Sequence, residues 1–300
     1  MRRVMMMAAG VAALAGGAAA QTLETLDPAD PGDALTIARR IMCSTVDEAP
    51  AVFTWSGDVY SRRMGERDRL LFRVEGMNVR ACSAASDPER GEGFALVSRE
   101  LLLYLDPETN EVIDRWQNPW TGETTEVLHV NNDPVNFEMF ETGRDGQPTV
   151  WPGEVTDGLW FQRTTVPLFY PNPLGGKYQA EVGGTYHATE MFNFFGDTDS
   201  LLDPDEEAEV HVGWARISDW LPWMKMGGRE GTLYFHTAGS KVAGVDALPE
   251  VMRTAIAERF PLYAAPPPAG DDRENVTSWG WYAAYAEGRA LPAAKGEERP

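Results

Sequence analysis

Between residues 52 and 238 the chain repeatedly alternates apolar and polar side chains with a period of two. That rhythm confines it to a mainly β fold, because successive strand residues point to opposite faces of a sheet. The alternating segments are Val52–Tyr60, Leu70–Arg80, Phe94–Leu105, Glu111–Trp116, Thr125–Asn131, Leu159–Tyr170, Tyr186–Phe195, Val210–Ile217 and Thr232–Ala238. They are rich in Val, Phe, Tyr, Trp and Thr, and turn residues separate them. Asp106-Pro107-Glu108-Thr109-Asn110 reads as a hairpin turn, with Pro107 placed to start it, and Asn118-Pro119-Trp120-Thr121-Gly122 as a second turn. Strands joined by short turns imply an antiparallel meander. Nine of them predict an up-and-down barrel of the calycin or lipocalin kind with a few peripheral helices.

Three segments break the rhythm. Asp33–Thr45 predicts a short helix, with Ala34, Leu35, Ala38, Ile41 and Met42 on one face and Asp33 placed to cap it. Pro249–Phe260 predicts a second, with Val251, Ile256 and Phe260 near one face. Pro266-Pro267-Pro268 then forms a stiff link to a segment carrying Trp279, Trp281, Tyr282 and Tyr285. So many aromatics in a tail predict that it docks back on the barrel. The expected organisation is one β-barrel domain over residues 21–265, followed by this link and aromatic segment over 266–300.

Residues 1–20 have the layout of a secretory signal peptide: Arg2 and Arg3, an apolar run from Val4 to Leu14, and Ala18-Ala19-Ala20 before Gln21. Sec and twin-arginine routes both fit. The expectation is a periplasmic or secreted protein with no membrane attachment after cleavage. A formal net charge of −20 argues against nucleic acid and anionic membranes as partners, since both are engaged through Lys and Arg. Cys43 and Cys82, the only cysteines, predict a disulfide in an oxidising compartment, two separate buried thiols being the alternative. Neither lies in a C-x-x-C motif, so a redox or zinc role is not indicated.

Alternation also assigns faces. Tyr186, Ala188, Glu190, Phe192 and Phe194 share one, which puts a carboxylate inside an aromatic stripe, and Val210, Val212, Trp214 and Arg216 form the matching stripe that supplies a counter-charge. His129 shares a face with Val127 and Asn131 in a polar strand end running to Asp133. Two readings follow. In one, Glu190, Arg216, His129, Asn132, Arg99 and Asn193 line a cavity walled by Trp214 and Tyr170; in the other, they are structural ion pairs and satisfied core groups. No H-E-x-x-H, G-x-S-x-G or P-loop is present, and the four histidines (His129, His187, His211 and His236) fall on separate strands without ligand spacing, so neither a metal nor a cofactor is expected. Glu100 and Glu190 are the carboxylates best placed to act as a pair. Asn275-Val276-Thr277 matches a glycosylation sequon.

Several phrases occur together: VEGMNVR at 74–80, Ser98-Arg99-Glu100 leading into LLLYLDPETNEV, NPWTGE at 118–123, HVNNDPVN at 129–136, YPNPL at 170–174, EMFNFF at 190–195 and WLPWM at 220–224. As a set they resemble the bacterial family catalogued as domain of unknown function 1838, over about residues 33–263. The resemblance implies one module in a proteobacterial, periplasmic setting, and it implies no activity, cofactor or catalytic residue. Three expectations for function remain. The first is binding of a small, partly apolar molecule inside a β-barrel. The second is an acid–base enzyme on the same barrel, an isomerase, lyase or hydrolase of a hydrophobic or phenolic compound, with Glu190 or His129 as the catalytic group. A structural protein of the envelope is the third.

Overall fold

Turn chemistry sets the strand ends. The Asp106 carboxylate accepts hydrogen bonds from the Glu108 and Thr109 amides at 2.9 Å, and Asn110 takes the left-handed backbone at φ 59°, so the chain reverses where the hairpin turn is expected. Asp87 does the same for Glu89 and Arg90, with Gly91 at φ 85°. The computed structural model describes residues 26–171, 184–276, 278–291, 293–295 and 297. The expected export signal lies outside them.

The strands are β1 (Ala51–Arg62), β2 (Arg69–Asp87), β3 (Gly91–Leu105), β4 (Arg115–Gln117), β5 (Thr124–Glu126), β6 (Val130–Asn132), β7 (Phe137–Phe140), β8 (Glu154–Thr156), β9 (Leu159–Pro171), β10 (Thr185–Asp197), β11 (His211–Ser218) and β12 (Thr232–Val242). Ten of them form one sheet in the order β6-β3-β2-β1-β12-β11-β10-β9-β8, with β7 also on β3, and β4 pairs β5 separately. Every ladder is antiparallel. The path is open: among the described residues no ladder joins β8 to β6. The chain is therefore mainly β and antiparallel, but its hydrogen bonds do not close it into the expected calycin-like barrel.

The sheet nevertheless has an inside. Residues of one parity on β1, β2, β3, β10, β11 and β12 share a face, and the interior they enclose is packed at both ends. At one end Phe72, Tyr104, Trp116 and Trp223 make a cluster with ring centroids 5.4–6.0 Å apart. At the other, Phe53, Trp151, Trp160, Val210 and Val212 pack with Ile37 and Ile41 of helix α1 (Pro31–Met42). Asp30, not Asp33, caps that helix: its side chain accepts from the Gly32 and Asp33 amides, while the Asp33 carboxylate is taken by the Asp27 amide. Pro31 at the first helical position fixes this frame. Helix α2 (Thr198–Leu202) follows β10.

The outer face of β1–β3 is covered by helix α3 (Glu250–Glu258), which sets Met252, Ala255 and Ile256 on Val52, Met77, Val79, Leu101 and Leu103. Val251 and Phe260, expected on the buried face, are only partly buried there. Helix α4 (Ser278–Ala286) returns to the sheet, with Trp279 on Tyr186 at 4.9 Å between rings and Trp281 and Tyr282 against the aromatic cluster. No helix of the described residues is long and apolar enough to cross a membrane.

The differences from expectation concern short elements. Glu111–Trp116 keeps only its end as β4, because Val112 makes a single isolated bridge to Leu105. Thr125–Asn131 divides into β5 and β6. β7 and β8 are three or four residues long, too short to show alternation.

Cys43 and Cys82 are bonded, with a Cα–Cα distance of 5.8 Å, tying the end of α1 to β2. That bond is compatible with a protein outside the cytoplasm. Closing a 39-residue separation constrains the unfolded chain by about 4 kcal/mol in the chain-entropy model. Cys43→Ser/Cys82→Ser is expected to unfold at clearly lower denaturant than the oxidised protein, and dithiothreitol to lower the midpoint of the native protein but not of the double variant.

Candidate functional site

Between its two packed ends the interior holds a cavity of about 90 Å³. At about 10–15 Å³ per water it has room for several waters or a small organic group. Phe53 and Trp55 of β1 and Val212 and Trp214 of β11 line it on one side. Asn78 and Arg80 of β2 with Glu100 of β3 form one flank, and Glu190, Phe192 and Phe194 of β10 the other. Glu100 and Glu190 are five ladder steps apart in the strand order, about 24 Å in a flat sheet. That they line one small cavity requires the sheet to fold over on itself.

Each wall follows from strand parity and local packing. Phe192 lies 6.1 Å from Phe194 and 6.5 Å from Trp214, both near-parallel, so the rings form a continuous apolar surface. Trp55 lies flat across β2 because residue 76 is glycine: a Cβ there would sit 2.2 Å from the indole nitrogen. Arg80 stacks its guanidinium 4.5 Å from the Phe53 ring and donates from Nε to the Asn78 Oδ1 at 2.7 Å.

The charges divide into a satisfied pair and an unsatisfied one. Arg216 Nη1 donates to Glu190 Oε1 at 3.1 Å, and its Nη2 donates to the Tyr186 hydroxyl. Burial opposes the charge on Arg216, but Tyr186, Glu190 and Tyr104 outweigh it and hold the guanidinium protonated. Glu100 and Arg80, by contrast, form no ion pair among the described residues. Burial, then the facing Glu190, push the Glu100 carboxyl up to about 7 against the pull of Arg80 and Arg216. Burial lowers Arg80 to about 10, opposed by Glu100.

Of the residues anticipated from sequence, the structure brings Glu190, Arg216 and Trp214 together. Arg99 and Asn193 have the opposite parity to Glu100 and Glu190 and lie on the outer face. Arg99 is 1% exposed there, donating to the Leu262 carbonyl at 2.7 Å and to both carboxylate oxygens of Glu297 at 2.5 and 2.6 Å. Asn193 faces solvent. The side chains of Asn132 and Tyr170 lie outside the described residues. His129 lines a separate cavity of about 20 Å³ with Tyr104, Leu128, Trp223, Trp281 and Tyr282, space for a water or two. Its Nδ1 accepts from the Tyr104 amide at 3.1 Å, so the proton sits on Nε2, 3.7 Å from Asp114 Oδ1. Burial and then Arg259 lower its pKa to about 4 against the pull of Asp114, which makes it a neutral structural histidine. Asn275 of the sequon is bonded to the Asn136 amide and carbonyl. Arg80 and Asn78 were the residues missed. They interrupt the Phe72-Val74-Gly76 stripe just as Glu190 interrupts its own, and that signal was available in the sequence.

The family model described as Protein of unknown function (DUF1838) matches residues 48–286. The chain belongs to that family. The match begins just before β1 and ends at the last residue of α4, so the family unit includes the returning aromatic helix; α1 and Cys43 precede it. No curated protein matches. Among solved structures the chain is similar to Ail, the attachment invasion locus protein of Yersinia pestis, at 5% identity over 66% of this chain and 100% of that one. With a TM-score of 0.17, that likeness carries no argument about fold or function.

Two pH measurements follow. Glu100 holds its proton to higher pH folded than unfolded, so the wild type loses stability relative to Glu100→Gln as pH rises from about 4.5 to about 7, by about 3 kcal/mol, and the gap is constant above that. Denaturant titrations of both proteins across this range check it. For His129 the sign is opposite, and its ring resonances are expected to stay those of a neutral imidazole down to about pH 5 in an NMR titration.

Proposed function

We propose that this protein binds a small, partly aromatic molecule in the interior cleft, outside the cytoplasm of a bacterium. The observation that carries the reading is convergence. Phe53, Trp55, Phe192, Phe194 and Trp214 meet Asn78, Arg80, Glu100 and Glu190 in one cavity, and Arg80 and Glu100 form no ion pair among the described residues. An apolar pocket with a few convergent polar groups is the usual form of a small-molecule site. The curl of the sheet supports a calycin-like use of the interior, with α4 and its Trp279 belonging to the same functional unit. The export-type leader and the disulfide support a periplasmic or secreted setting.

A second reading, acid–base catalysis, is favoured by one feature. Glu100 is able to give or take a proton near neutrality and faces a carboxylate locked to Arg216. Glu100 would be the proton-transferring residue in place of His129, which lies in the other cavity.

The test is a thermal-shift and calorimetric screen of a metabolite panel against the full chain. Hits are expected among compounds carrying a ring, and Trp214→Ala is expected to weaken them at least about tenfold. Hits indifferent to Trp214→Ala would remove the cleft as the site. Glu100→Gln separates the two readings, since catalysis requires a titrating group and shape recognition does not.

A further inference from the structure

We propose that the cleft is built for a small zwitterion, a free α-amino acid with an aromatic or other large apolar side chain. The inference rests on the reading of this cavity as a small-molecule site and asks what the cavity lacks. The charged groups facing Glu100 are Arg80 from β2, Glu190 from β10 and Arg216 from β11. Glu190 and Arg216 neutralise each other, with Tyr186 taking a second guanidinium donor. What remains is one carboxyl and one guanidinium that form no ion pair among the described residues, although each feels the other's charge.

Their spacing follows from the register. Arg80 is paired with Ser98 and Asn78 with Glu100, so Arg80 and Glu100 are diagonal neighbours on one face of β2–β3. Diagonal neighbours lie about 7–8 Å apart. Long side chains can meet across that spacing, yet Arg80 turns its Nε to the Asn78 Oδ1 and forms no ion pair with Glu100 among the described residues. A zwitterionic head group answers both, its ammonium donating to Glu100 and its carboxylate accepting from Arg80 in charge-assisted hydrogen bonds. An ammonium at Glu100 also stands between two carboxyl groups that otherwise repel each other.

The remaining observations agree with this ligand. A chain of net charge −20 disfavours a simple anion on Arg80, and a zwitterion avoids that cost. A cavity of about 90 Å³ admits the head group, and the half-buried rings of Phe192 and Trp214 offer apolar faces to the side chain. A lone amine would leave Arg80 unanswered, and a lone carboxylate would leave Glu100 unanswered.

The experiment is calorimetry of the full oxidised chain with L-phenylalanine, 2-phenylethylamine, 3-phenylpropanoate and 2-phenylethanol at about pH 5.5, 7 and 8. L-Phenylalanine is expected to bind at least about tenfold tighter than the other three. Because the ammonium requires an ionised Glu100, its affinity should rise between about pH 5.5 and 8. Glu100→Gln should flatten that profile, and Arg80→Gln should erase the preference for L-phenylalanine over 2-phenylethylamine, with near-UV circular dichroism confirming that both variants are folded. Equal or tighter binding of 3-phenylpropanoate or 2-phenylethanol would overturn the zwitterion while leaving the aromatic cleft in place. Failure of all four probes, alongside another class of compound whose binding depends on Trp214, would do the same. If no compound depends on Trp214, the cleft itself is not the site.

Discussion

This sheet of ten strands buries a face of large aromatic side chains by folding over on itself, and most of the structure is a consequence of that curl. Apolar burial drives it, since each large side chain removed from water contributes about 1.5–3 kcal/mol. The stabilising mass is concentrated at the two ends, in the Phe72–Tyr104–Trp116–Trp223 cluster and in the group around Trp160, Val210 and α1. Between them the same face carries Asn78, Arg80, Glu100, Glu190 and Arg216. Burying charge is costly unless it is partnered. Four charged residues and one amide at the waist of an aromatic interior reduce the stability that an apolar filling would give. The fold tolerates them because the ends supply enough burial and because Glu190, Arg216 and Tyr186 satisfy one another.

Much of this was legible in the sequence, and what was not has a definite physical cause. Parity along a strand is a local property. Glu190, Trp214 and Arg216 could therefore be placed on a common stripe, and the long strands found within a few residues of their ends. Which stripe of one strand meets which stripe of another is not local. Arg99 and Glu100 are neighbours, and only the tertiary register decides that Glu100 enters the cavity while Arg99 faces α3 and the C-terminal segment. His129 shows the same limit: a histidine among polar residues reads as chemistry, and only the distance to the Tyr104 amide shows it to be an acceptor for the backbone. Closure was also beyond reach. Counting nine strands suggests a barrel, but whether the outermost strands pair depends on edges formed by pieces as short as β6 and β8, which carry too few residues to display a period.

Residues that hold the structure and residues that shape the cleft are interleaved rather than separate. Tyr186 packs its ring on Trp279 of α4, and its hydroxyl oxygen accepts from Arg216, which in turn donates to Glu190. Gly76 serves β2 and, by having no side chain, lets Trp55 form part of the wall. The returning helix thus bears on the geometry of the carboxylate through two contacts, which is a physical reason for the family unit to extend through it.

The Arg99–Glu297 pair joins residues 198 positions apart across a site that is almost wholly shielded from water. During synthesis the chain emerges in order, and Arg99 is made long before Glu297. Asp133, 3.9 Å from Arg99 Nε and equally buried, is the earlier countercharge, and Glu297 adds its two-oxygen contact only when the last residues arrive. The shell around Arg99 is therefore complete only once the distal segment has docked.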